Sequence, residues 1–160
     1  MTKDKPNWKP PSLWSLSAFI ALAFISGVIA SFVPAPALAA EMMVYKSPWC
    51  GCCKKWIAHM RANGHSVRVT NMENLDLIKK MAGVPDRLQS CHTAMVGGYA
   101  VEGHVPAQDI ARLLAERPKA KGLAVPGMPA GAPGMEQGTP ERYDVLMFQR
   151  DGSASVYSKH

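Results

Sequence analysis

Between Met42 and Thr70 the hydrophobic pattern changes period twice, and that change commits the chain to a βαβ unit. Residues 42–45 are a short apolar run bounded by Ser47-Pro48, the pattern of a buried strand. From Cys50 the apolar positions Cys53, Trp56, Ile57 and Met60 recur at three- and four-residue spacing, which predicts a helix, and Asn63-Gly64 supplies a left-handed stop. Residues 66–70 then alternate, with Val67 and Val69 on one face, and form a strand parallel to the first once the helix crosses over. The helix therefore begins at the run Trp49-Cys50-Gly51-Cys52-Cys53-Lys54, which holds three of the chain's four cysteines.

Further along, residues 74–81 place Leu75, Leu77, Ile78 and Met81 on one helical face, and Gly83-Val84-Pro85 ends that helix. Residues 93–96 and 99–101 read as strands joined at Gly97-Gly98, a two-residue turn that needs positive φ. Residues 107–116 carry Ile110, Leu113 and Leu114 and close at Pro118, predicting a third helix. The order β-α-β-α-β-β-α is an α/β, thioredoxin-like arrangement in a single domain with its core over 42–118. Over 122–139 the composition turns to Gly, Pro, Ala and Met, which predicts a long loop with no regular helix or central strand. A C-terminal hairpin over 143–157 is predicted around Asp151-Gly152. A long loop held at both ends by structured segments favours function.

At 160 residues and 48% hydrophobic content the chain has room for one domain of ordinary size and a leader. Residues 1–39 read as a signal peptide. Lys3, Lys5 and Lys9 precede an uncharged run over 13–33, Pro34 breaks it, and Ala37-Leu38-Ala39 offers small residues for cleavage. Cleavage after Ala39 would leave 40–160 as a periplasmic domain. An uncleaved leader would be its one membrane attachment, since a run of about 20 apolar residues can span a bilayer. The formal charge of +6 comes from singly scattered Lys and Arg with no basic run, so a nucleic-acid partner is not expected.

A helix start presents free amide N–H groups and partial positive charge, which stabilise a thiolate and make Cys50 the expected reactive sulfur. Cys53 lies three residues on and faces the same side, so the pair can close a disulfide or share a metal ion. Cys52 adds a third soft donor. The hexapeptide resembles the W-C-G-P-C-K active site of thioredoxins with Cys52 in place of the central proline. It departs again before the third strand, where thioredoxins hold a cis-proline and this chain reads Ser90-Cys91-His92-Thr93. That resemblance brings Cys91 opposite the helix start, so four thiols converge. Converging thiolates with methionines nearby suit copper(I) better than magnesium, calcium or manganese. Zinc on four cysteines stays open, although adjacent Cys52-Cys53 departs from the paired spacing of structural zinc sites.

The start Y-K-S-P-W-C-G-C-C-K, the S-C-H-T loop, the G-H-V-P segment and the stretch G-L-A-V-P-G-M-P-x-G-x-P-G-M-E resemble the CopG-like family of periplasmic copper-handling proteins, a thioredoxin-fold family. The resemblance implies copper(I), in a cluster, on Cys50, Cys52, Cys53 and Cys91. It also implies a role in copper resistance, with copper redox cycling and with other periplasmic copper-resistance or efflux proteins as partners. The alternative is a thiol–disulfide oxidoreductase with Cys50 as nucleophile and Cys53 as resolving thiol.

Plainer readings stand beside these. Two structural disulfides are the default for a small secreted domain, but three cysteines within four residues close loops too short to remove much chain entropy. His92, next to Cys91, is evenly balanced between ligand and loop residue, whereas His104 reads as an ordinary surface or loop histidine. Met128 and Met135 read first as gap fillers and second as outer ligands or transfer sites. Trp49 and Trp56 read as packing residues, and His59 and His65 as helix surface and turn.

Overall fold

The computed structural model describes residues 41–160; the leader expected over 1–39 lies outside the described residues. Strand β1 (Met42–Lys46) alternates buried and half-buried residues, as a strand covered on both faces does. Helix α1 (Gly51–Ala62) buries Cys53, Trp56, Ile57 and Met60 as a single stripe. At its end Asn63 stays at φ −95° and Gly64 takes the left-handed conformation. Strand β2 (Val67–Asn71) returns parallel to β1, with Val44 opposite Val69, closing the βαβ unit.

Helix α2 (Asp76–Ala82) ends on left-handed Gly83 and leads through a 3₁₀ turn, Asp86–Leu88, that the pattern did not predict. Strands β3 (His92–Val96) and β4 (Tyr99–Glu102) form the expected hairpin, with both Gly97 and Gly98 at positive φ. Helix α3 (Ala107–Glu116) has the predicted bounds.

The stretch 122–139 departs from expectation. Its first residues form a three-residue strand, β5 (Gly122–Ala124), parallel to β4 and fully buried. The prolines that argued against a central strand begin only at Pro126. A glycine is required at the strand's start, because a Cβ on Gly122 would sit 1.9 Å from the Ala100 carbonyl oxygen. Strand β6 (Asp144–Phe148) pairs antiparallel with β5, and β7 (Ala154–Lys159) completes the hairpin. One seven-stranded sheet results, in the order β2-β1-β3-β4-β5-β6-β7.

The core accordingly reaches beyond 42–118. Helices α1 and α3 cover one face of the sheet, where Leu123, Val125 and Val145 join Val44, Trp56, Val101 and Ile110. On the other face, Ala82 of α2 and Leu88 pack with Ala100, Ala124 and Phe148. Alternation along β3, β4 and β5 sends neighbouring residues to opposite faces, so each strand serves both clusters.

Candidate metal centre

The start of α1 and the end of the loop before β3 meet at one end of the sheet, because β1 and β3 are adjacent antiparallel strands with Lys46 opposite His92. Cys50 is the N-cap of α1, and its sulfur accepts the Cys53 amide N–H at 3.2 Å, satisfying one of the free donors of the first turn. Cys50 and Cys53 are joined in a disulfide, leaving Cys52 and Cys91 as free thiols. Cys52 Sγ lies 3.4 Å from Cys50 Sγ and 3.9 Å from Cys91 Sγ. Cys53 Sγ lies 3.6 Å from Cys91 Sγ. All four sulfurs fall within 4.8 Å of one another.

Cys91 also belongs to a second group, with His92 and His104, whose donor atoms share the same 4.8 Å limit. His92 Nδ1 lies 3.3 Å from the Cys91 sulfur, and the ring stands 4.4 Å from that of Trp56. Its Nε2 is buried and has no hydrogen-bond partner among the described residues. Burial, then the nearby His104, Lys79 and Lys46, hold the His92 pKa well below its ordinary value, so the ring is neutral.

His104 is where sequence reasoning fell short. It is fully buried rather than on the surface, with Nε2 3.1 Å from Cys91 Sγ. Its Nδ1 is 2.8 Å from the Pro133 carbonyl oxygen, which can only accept, so the proton is on Nδ1 and the Nε2 lone pair faces the sulfur. Burial lowers its pKa, with the Pro133 hydrogen bond acting in the opposite sense. The residue that orients His104 comes from the Gly/Pro/Met segment, twenty-nine positions away in sequence. No local pattern around His104 could have revealed that partner.

The same segment covers the site. Gly134 lies so close that a Cβ there would come within 2.7 Å of the Cys52 carbonyl oxygen and 2.8 Å of the Trp56 nitrogen. Met128 and Met135 line an open cleft of about 350 Å³ together with Gly51, Cys52 and Lys55. The structure thus brings both methionines to the Cys52 side of the site, with Met128 exposed and Met135 half-buried.

Trp56 is the packing residue it was expected to be, fully buried with its Nε1 donating to the Val105 carbonyl at 2.9 Å. Trp49 is not, being 85% exposed beside the cysteines. His59 is half-buried on α1, with Nε2 3.4 Å from the Ala107 nitrogen; it and His65 lie outside both donor groups.

The electrostatics distinguish the two kinds of chemistry such a site could perform. Burial first, and the neighbouring Cys52 second, push the Cys91 pKa up to about 12, so without a cation Cys91 is a protonated thiol and a poor nucleophile. A bound cation reverses that balance by stabilising the thiolate. Sulfur and neutral imidazole are soft and borderline donors, which fit copper(I) or zinc and do not fit magnesium or calcium.

Residues 88–135, which include Cys91, His92, His104 and both methionines, match a family described as a protein of unknown function, DUF411. No curated protein matches the chain. Two solved structures do, described as "Copper resistance protein copG- Form 1" and "Copper resistance protein copG- Form 2". Each is 44% identical, with a TM-score of 0.72 over 76% of this chain and 98% of that chain. With that identity sustained over nearly the whole of the matched structures, the chain belongs to the CopG family of copper resistance proteins.

Proposed function

We propose that this protein binds copper(I) as cargo through the thiolates of Cys50, Cys52, Cys53 and Cys91, and acts in copper resistance outside the cytoplasm. The observation that carries the reading is the convergence of four sulfurs within 4.8 Å from two separate segments. His92 and His104 add imidazole nitrogens on the Cys91 side, and Met128 and Met135 stand as thioethers along the open approach to Cys52. Such a donor set selects copper(I) over hard cations, and it has room for more than one ion because thiolate sulfur bridges metals readily. The name carried by the two related structures supports the same cargo.

Loading requires the Cys50–Cys53 disulfide to open, taking two electrons and two protons from an external thiol donor and returning two thiols. The pair also equips the site for copper redox cycling. Closing the two thiols back to the disulfide releases two protons and two electrons, which reduce two copper(II) ions to copper(I). The leader over 1–39 and its cleavage after Ala39 belong to this proposal, and the intact mass of the protein isolated from the periplasm tests them.

Anaerobic copper(I) titration of the reduced protein against a chromogenic chelator, with native mass spectrometry, tests the cargo. Wild type is expected to retain copper against the chelator. Cys91→Ser should lose more than the ~10–100-fold in affinity typical of disturbing an outer-shell partner. A reduced wild-type protein that takes up no copper overturns the reading.

The disulfide favours a second reading, thiol–disulfide exchange with Cys50 as nucleophile and Cys53 as resolving thiol. Metal-free protein that reduces insulin, and forms a trapped mixed disulfide at Cys50 in the Cys53→Ser variant, would establish it.

A further inference from the structure

We propose that Lys79 and Glu102 are positioning residues that hold the Cys91 thiol in place by clamping the peptide segment before it. The proposal rests on Cys91 as a copper ligand for its functional meaning and on the clamp geometry for its physical content.

Glu102, on β4, is fully buried, and Lys79, on α2, is 5% exposed; the two form an ion pair. Between them they take both backbone polar groups of Ser90, whose hydroxyl donates separately to the Gly127 carbonyl at 2.6 Å. The Ser90 amide N–H donates to Glu102 Oε1 at 2.6 Å, and the Ser90 carbonyl accepts from Lys79 Nζ at 2.9 Å. Two residues past Cys91 the network closes again. The Thr93 hydroxyl donates to Glu102 Oε2 at 2.6 Å and accepts from Lys79 Nζ at 3.2 Å. The segment carrying Cys91 and His92 is therefore pinned at both ends by one charged pair.

Strand alternation explains how this works without touching the donors. Thr93 faces α2 and the ion pair, while His92 faces α1 and the Trp56 ring. The clamp grips the strand from one face of the sheet and the cysteines meet on the other.

A buried ion pair is a poor source of net stability, since desolvating two charges costs about what their attraction returns, and apolar pairs of similar volume often match or exceed it. What an apolar pair cannot do is supply an acceptor for the Ser90 N–H and a donor for its carbonyl. The charges are accounted for by the backbone they hold.

The test compares wild type with the Lys79→Met/Glu102→Leu double variant and the milder Thr93→Val. Metal-free protein with the Cys50–Cys53 disulfide closed leaves Cys52 and Cys91 as the free thiols. A short iodoacetamide pulse followed by peptide mass spectrometry reads each separately, with Cys52 as internal reference. The double variant should label Cys91 about tenfold faster, because a loosened segment opens more often, with Thr93→Val intermediate and Cys52 unchanged. In the reduced protein its copper(I) affinity should fall about tenfold or more while the melting temperature stays near wild type.

Cys91 labelling that stays at the wild-type rate, or rises only in step with Cys52, overturns the clamp. Thr93→Val decides alone if the double variant does not fold. Because the labelling is done without copper, it judges the clamp even if wild type proves to bind none.

Discussion

One sulfur, that of Cys91, is shared between the cysteine group and the histidine group, so its protonation governs both. Burial holds it as a thiol in the metal-free protein, and copper(I) must displace that proton to bind. Copper loading is therefore expected to release protons and to weaken as pH falls, measured by competition with a chelator of known pH dependence; an affinity flat with pH would contradict this. His104 presents Nε2 because Pro133 holds its Nδ1–H. His104→Ala should weaken copper(I) binding by about 10–100-fold, the range typical of residues that orient or complete a metal site. Unchanged affinity in that variant would assign His104 to packing alone.

At the level of elements, α1 does two jobs with one sequence. Its stripe of Trp56, Ile57 and Met60 anchors it to the sheet, each side chain contributing about 1.5–3 kcal/mol on burial, and this fixes the first turn where three cysteines sit. Strand β5 does the corresponding work for the covering segment. Being paired between β4 and β6, it fixes the point from which residues 125–135 run over the cysteines. Gly122→Ala places a Cβ against the Ala100 carbonyl and should destabilise the fold by about 3 kcal/mol or more, read by chemical denaturation. Since β5 starts the segment that orients His104, the same variant should weaken copper(I) binding; full stability and full binding together would show that β4 and β5 separate freely.

For the whole molecule, the buried histidines set the acid limit of the metal-free fold. His92 and His104 both have pKa values lowered by burial. The unfolded chain takes up protons near the ordinary histidine value of about 6.5, while the folded chain refuses them until lower pH. Their contribution to stability is thus fully present above about pH 6.5 and is lost as pH falls through the folded-state values. The melting temperature of metal-free protein should drop between about pH 7.5 and pH 5, and less steeply in His92→Leu; equal slopes in the two proteins would place the acid sensitivity elsewhere. The helices and strands up to α3, though not the 3₁₀ turn at Asp86–Leu88, were determined by the sequence itself, because periodicity, turn glycines and strand-to-helix handover act over a few residues. The convergence of Cys91 on Cys50, Cys52 and Cys53 was legible only through the resemblance of those elements to a thioredoxin-like arrangement. Tertiary structure alone decided the rest: β5 in the middle of the sheet, Trp49 in solvent, His104 in the interior, and the Lys79–Glu102 pair behind the cysteine loop. The strand β5, His104 and the Lys79–Glu102 pair depend on partners far away in the chain, such as Pro133 for His104 and Ser90 for Glu102, and pairings of that reach leave no periodic trace in the residues that make them.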